Sequence, residues 1–280
     1  MDLAPRSSTP SVSLLGLPTD EASSFARGAA EGPAAIRAAL YSDSSNLGIE
    51  TEGAGEAGLD LGAEERWRDL GDLDLSGGEA TRAEIEAAVA EQLDQGARVL
   101  CLGGDHSITY PILRAHRGHH KGLTIVQIDA HPDLYDSFEG DRFSHACPFA
   151  RVMEEGLAER LVQIGIRTAS EPQRRQAERF GVEIVSRGSW LDLDALALEP
   201  PIYLSIDLDG LDPAFAPGGS HPEAGGLSTR EALEIVWRLP GLLGADVVEL
   251  NPSRDVSGIT AAAASKLVKE LLGRLLVGAL

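Results

Sequence analysis

Three short stretches of the 280-residue chain gather carboxylates and imidazoles: Gly103-Gly104-Asp105-His106-Ser107, Asp129-Ala130-His131-Pro132-Asp133, and Asp207-Leu208-Asp209 in a longer acidic run that ends at Asp212-Pro213. Two imidazoles, His106 and His131, with several carboxylates make the mixed nitrogen and oxygen set that a pair of divalent cations requires. The chemistry of such a pair is hydrolysis, because two cations together acidify a shared water. Asp129, His131 and Asp133 are spaced by two, so in extended chain their side chains leave on one side while Ala130 and Pro132 point away. Asp207 and Asp209 repeat that arrangement. One such stretch after a strand has a plain alternative in turn and helix-capping chemistry. Three gathered in one place do not, since clustered carboxylates repel and keep raised pKa values unless a cation compensates them.

The elements that must position these residues are legible in the apolar runs. Residues 12–18, 97–102, 123–128, 161–166, 182–185, 202–206 and 245–250 predict strands, and residues 33–41, 79–95, 230–239 and 261–276 predict helices. Pro33 falls where a first helical turn accepts proline. Residues 60–74, rich in charge and glycine, predict a loop with a short strand. Near-continuous apolar strands alternating with helices predict a mainly parallel sheet covered on both faces. No linker rich in Pro, Gly or Ser divides the chain, so one domain is expected over residues 1–280. Each acidic stretch begins where an apolar strand stops, which puts all three at the carboxyl edge of the sheet, where ligand sites of open α/β folds lie.

A formal net charge of −20 argues against nucleic acid or an anionic membrane as partner and favours a cationic small substrate. Cys101 and Cys147, the only cysteines, are too few for a disulfide framework, and a reducing cytoplasm is expected. No stretch approaches the length of a membrane span, and residues 1–10 lack the basic region and apolar core of a leader.

The motifs resemble the arginase/agmatinase ureohydrolase family over almost the whole chain. The likeness is carried by the residues 103–107 and 129–133 quoted above, by the run from Ser205 through Asp207, Asp209 and Asp212 to Gly218, and by Gly225-Gly226-Leu227-Ser228-Thr229-Arg230-Glu231. The stretch between Asp136 and Arg151, with Ser23-Ser24-Phe25, looks like the plant-type branch of arginases and its bacterial relatives. The resemblance implies a three-layer α/β/α domain around a mostly parallel sheet, two manganese ions per subunit, and a homo-oligomer, trimeric or hexameric. By the same resemblance His106, Asp129, Asp133 and Asp207 hold the first ion and His131, Asp129, Asp207 and Asp209 the second, so that Asp129 and Asp207 bridge. Hydroxide from the shared water then attacks the guanidino carbon of arginine or agmatine, and urea leaves with ornithine or putrescine. His145 matches the family's proton shuttle to the leaving amine, and Glu249 the carboxylate that holds the guanidinium; with Asp133 they form the expected catalytic set. A buried acid at a strand end needs a cationic partner, and a planar guanidinium suits one.

The chain also departs from the commoner family pattern. Residues 219–224 read Gly-Ser-His-Pro-Glu-Ala, and His221 is taken as a loop residue, not a ligand. His116, His119 and His120 lie in a polar stretch that predicts a solvated turn. Residues 134–142 and 168–173 are expected to read the far end of the substrate, which keeps guanidinobutyrate, guanidine and formiminoglutamate as alternatives. Three rival classes fit the residues less well. A thiol hydrolase with Cys147 as nucleophile and His145 as base leaves the carboxylates unexplained. A metal-dependent deacetylase on a related fold needs one zinc and not the six-residue set, and a binding module needs no complete set at all.

Overall fold

The computed structural model describes residues 11–50, 59–185 and 193–278; the leader-free reading of residues 1–10 lies outside them. Its strands are β1 (Val12–Leu17), β2 (Trp67–Asp72), β3 (Arg98–Gly103), β4 (Thr124–Ile128), β5 (Arg160–Ile164), β6 (Glu183–Ile184), β7 (Ile202–Asp207) and β8 (Leu242–Val248). They form one sheet in the order β2-β1-β3-β8-β7-β4-β5-β6, with every pairing parallel. Helices α1 (Gly32–Leu40), α6 (Thr229–Arg238) and α7 (Ile259–Val277) cover one face, and α2 (Ala80–Asp94), α3 (Thr109–His116), α4 (Pro148–Glu154) and α5 (Glu171–Phe180) cover the other. The architecture is therefore the expected three-layer α/β/α arrangement.

The central strands are mostly apolar because both of their faces are covered. Along β7, Leu204 and Ile206 join the core under α6 and α7, while Tyr203 points to the core under α3. Each such buried aliphatic side chain contributes roughly 1.5–3 kcal/mol relative to exposure. The edge strand β2 has no such double cover, and its residues alternate between half-buried and exposed. Among the described residues, no helix is long and apolar enough to cross a membrane.

One row of residues crosses the sheet against this apolar rule. Cys101 on β3 pairs with Asp246 on β8, Asp246 with Ser205 on β7, Ser205 with Gln127 on β4, and Gln127 with Gln163 on β5. Paired residues in register share a face, so four buried polar side chains line up one to two residues inside the carboxyl edge, on the side of α2 to α5.

The solvated-turn reading of residues 116–120 is corrected at His116. It ends α3 and is buried on the face shared by Thr109, Ile112 and Leu113, with its ring edge-on to Tyr203 at 5.3 Å. That spacing of three and four is the buried stripe of a helix. His119 follows the expectation, exposed and 3.5 Å from Asp94.

Candidate metal centre

Two glycines let the acidic loops converge. A Cβ on Gly104 would fall 1.7 Å from the carbonyl oxygen of Thr19, so only glycine can hold the loop after β3 against its neighbours. The Gly104 carbonyl accepts the amide of Glu249, which sets the loop beside the end of β8. At Gly210 a Cβ would meet the Asp129 amide at 2.8 Å, so the loops after β4 and β7 touch backbone to backbone.

His106, Asp129, Asp133 and Asp207 then lie together, all buried. The Nδ1 of His106 faces three carboxylate oxygens, at 3.2 Å from Asp129, 3.0 Å from Asp133 and 3.3 Å from Asp207. A second set joins Asp129, His131 and Asp209, with His131 Nδ1 3.0 Å from Asp209 Oδ2 and 3.6 Å from Asp129 Oδ1. Asp129 presents one oxygen to each imidazole and so connects the sets, while Asp207 is grouped with the first.

The hydrogen bonds behind the carboxylates orient them. Asp207 Oδ1 accepts the Asp209 amide and Asp209 Oδ1 accepts the Ala130 amide, leaving the Oδ2 atoms turned to His106 and His131 respectively. The polar row does the same from below. Gln127 Nε2 donates to Asp129 Oδ2 at 2.6 Å, and Gln163 Nε2 donates to Gln127 Oε1 and to the Pro132 carbonyl. Ser205 Oγ donates to Asp246 Oδ1 at 2.6 Å and lies 2.9 Å from His106 Nε2. Since that hydroxyl hydrogen is committed to Asp246, Nε2 is the donor to Ser205 and Nδ1 carries the lone pair. Asp246 is fully buried and accepts from Tyr203 and Thr109 as well.

A buried lone pair facing three carboxylates is a site for a cation. His106 Nδ1 has no hydrogen-bond partner. Burial would lower the pKa of both imidazoles, yet Asp129 with Asp133 and Asp207 raises His106 well above its ordinary value, and Asp129 with Asp209 lifts His131 to about 12. Burial and the neighbouring Asp129 push Asp133 up to about 6, and burial with Asp209 pushes Asp207 well up. A cluster that draws protons onto acids and bases alike lacks positive charge. Two divalent cations balance four carboxylates, and the nitrogen and oxygen donors present fit hard or borderline ions such as manganese.

A cavity of about 340 Å³ opens over this cluster, with Asp133, His131, Asp207 and Asp209 in its floor. Glu249 enters it from the end of β8 with a left-handed φ of 67°, and Asp133 has a φ of 49°; such backbone costs on the order of 1–3 kcal/mol and concentrates at functional sites. Glu249 Oε1 accepts the His106 amide, while its buried Oε2 has no partner. Burial would raise the Glu249 pKa, but His145 and the His106 amide hold it below the ordinary value. His145 has Nδ1 3.6 Å from Glu249 Oε1 and Nε2 2.9 Å from Ser24 Oγ. Burial opposes its proton, yet Glu249 lifts its pKa to about 9. The lining also includes Tyr135, Phe138, Thr168, Ser170 and Gln173, from the two segments expected to meet the far end of a substrate.

Cys147 stands apart from this chemistry. Its buried thiol points to the Asp141 carbonyl at 3.7 Å, and burial pushes its pKa up to about 12, so it offers no thiolate. His221, taken as a loop residue, lies outside both carboxylate sets but lines the cavity and stacks on His145. Sequence reasoning also passed over Asp105, whose carboxylate accepts from the Ala22 amide and from Ser23 and Ser107, tying the loop that carries Ser24 to the one that carries His106.

Comparison with known proteins places the chain in a family. A family model described as "Arginase family" matches residues 10–273. The chain is 43% identical over 283 residues to arginase 1, mitochondrial, of Arabidopsis thaliana, which covers 95% of this chain and 81% of that protein. It is 37% identical over 268 residues to an agmatinase of Citrobacter koseri, covering 92% and 85%. The solved arginase of Medicago truncatula shares its fold with a TM-score of 0.84 at 40% identity, over 95% of this chain and 88% of that one. The chain belongs to the arginase family.

Proposed function

We propose that this hydrolase of linear amidines cleaves the guanidino group of arginine or agmatine, releasing urea and an amine, with two manganese ions held by His106, Asp129, Asp133 and Asp207 and by His131, Asp129, Asp207 and Asp209. The observation that carries this reading is the pair of imidazole nitrogens, each aimed at carboxylate oxygens, in two sets joined by Asp129. Bound there, the ions supply a water acidified enough to act as a nucleophile at neutral pH.

The remaining steps belong to the side chains. Glu249 Oε2, buried and without a partner, accepts the N–H groups of a planar guanidinium and presents its carbon to the floor of the cavity. Asp133 lines that floor and would take up the hydroxyl proton as the carbonyl of urea forms, the first proton of the water having been released to solvent. His145, holding its proton at neutral pH, passes it to the departing amine nitrogen, so that the amine leaves neutral. Tyr135, Phe138, Thr168, Ser170 and Gln173 in the lining offer neutral hydroxyl, amide and aromatic groups to the end at which arginine and agmatine differ. Assembly into a homo-oligomer belongs to the same proposal, and light scattering reads it.

The test is urea release from arginine, agmatine, guanidinobutyrate and guanidine by chelated protein before and after manganese is restored. The proposal expects activity on arginine or agmatine only after restoration. Full urea production by metal-free protein overturns it.

A further inference from the structure

Of the imidazoles that line the cavity, His221 is the one that the ligand sets and the catalytic residues leave unused. It sits inside the cavity at the meeting of three rings. Its plane lies 23° from that of His145 with centroids 4.9 Å apart, it stands edge-on to His131 at 6.2 Å, and Phe25 covers it from the solvent side at 5.8 Å. The loop that delivers it is pinned. Ser220, fully buried, donates its hydroxyl to the Ala26 carbonyl at 2.9 Å, and Asn251 Nδ2 donates to the same carbonyl at 2.7 Å and to Ser220 Oγ. One knot therefore joins the His221 loop, the Ser24–Phe25 loop and the chain just after Glu249.

His145 is held at its two nitrogens, by Ser24 at Nε2 and by Glu249 at Nδ1. Both contacts lie at the ring edge, and the one to Glu249 at 3.6 Å is too long to hold the ring plane, so neither contact supports a ring face. A flat group against the ring face supplies that support. We propose that His221 is a positioning residue for the amidinohydrolase reaction: its ring, stacked on His145, fixes the plane in which His145 delivers its proton to the leaving amine. This inference rests on the proton-shuttle role given to His145 above. Two imidazolium ions stacked face to face repel, so His221 works as the neutral partner, and burial beside His145 holds its pKa below the ordinary value. A neutral aromatic face against a cationic ring is attractive.

The flat ring, not the nitrogen, is what the role requires. His221→Ala in the manganese-loaded enzyme is expected to lower kcat by about 10- to 100-fold, the scale of a small misplacement of a reacting group, with KM and bound metal within about threefold of wild type. His221→Phe keeps a flat face and is expected to recover most of kcat, whereas His221→Asn keeps polarity without a ring and stays low. Independently of turnover, the ring-current shift on the His145 carbon-bound protons, read by NMR in protein loaded with a diamagnetic divalent ion in place of manganese, is lost in His221→Ala and His221→Asn and kept in His221→Phe. Unchanged kcat in His221→Ala overturns the inference, as does recovery by Asn without recovery by Phe, or a loss of activity that tracks a loss of metal. A wild-type protein inactive on every guanidino compound overturns the functional reading itself. An active wild type with an indifferent His221→Ala overturns this inference alone.

Discussion

His106 and His116 are both fully buried imidazoles with nitrogens that find no hydrogen-bond partner, yet their surroundings give them opposite chemistry. His106 meets three carboxylates within 3.3 Å and is drawn toward positive charge. His116 meets the ring of Tyr203 and the tilted ring of His120, and burial with its histidine neighbours pushes its pKa down to about 3, so it stays neutral. Burial and an orphaned nitrogen do not make a metal ligand. The oxygens that face the nitrogen do, together with a hydrogen bond that fixes the tautomer from behind, as Ser205 does for His106.

That contrast breaks most sharply at Asp129, which presents an oxygen to each of the two imidazoles. Asp129→Asn should leave the protein unable to retain either ion and reduce urea release to background, whereas Asp209→Asn should loosen mainly one; metal content per subunit by mass spectrometry separates them. Next comes the shuttle. His145→Ala should lower turnover by about 10²- to 10⁴-fold with metal retained, checked by steady-state kinetics on the metal-loaded variant. The support behind His106 is expected to matter less: Asp246→Asn weakens the constraint on Ser205, and manganese affinity should fall by about 10- to 100-fold in a competition titration.

The smallest effect is expected at His116. His116→Leu should leave metal content and kinetics unchanged and alter only the dependence of stability on pH. The unfolded chain takes up the His116 proton near 6.5 and the folded protein only near 3, so between those values the unfolded state holds the extra proton. The stabilisation is therefore full above pH 6.5 and lost as pH falls toward 3, by about 1.4 kcal/mol per unit at most. Denaturant melts of wild type and variant across that window should differ in slope, with His116→Leu the flatter; a change in manganese binding would instead blur the distinction between the two histidines.

How far the residues announced all this depends on the range of the interaction. The strand ends and the ligand types were legible because apolar runs and spacings of two are local, as at residues 123–133. His116 was misread because Arg114, Arg117 and His119 surround it in sequence, although the spacing of Thr109, Ile112, Leu113 and His116 carried the helical stripe that buries it. Gln127, Gln163, Ser205 and Asp246 each show as a single polar residue near the end of an apolar strand, a signal that gains meaning only when sheet register lines them up beneath the ligands. His221 and Asp105 act on partners more than 75 residues away, and no local pattern points to such contacts.

The central claim is that Asp129 joins two cation sites that work as one. Its most direct measurement is the titration of rigorously metal-free protein with manganese, following bound ions per subunit and urea release together. The account predicts binding that continues to two ions per subunit, with protons released as the imidazoles and carboxylates exchange them for metal, and activity that rises with the second ion. Saturation at one ion with full activity, or full activity before any manganese is added, would contradict it.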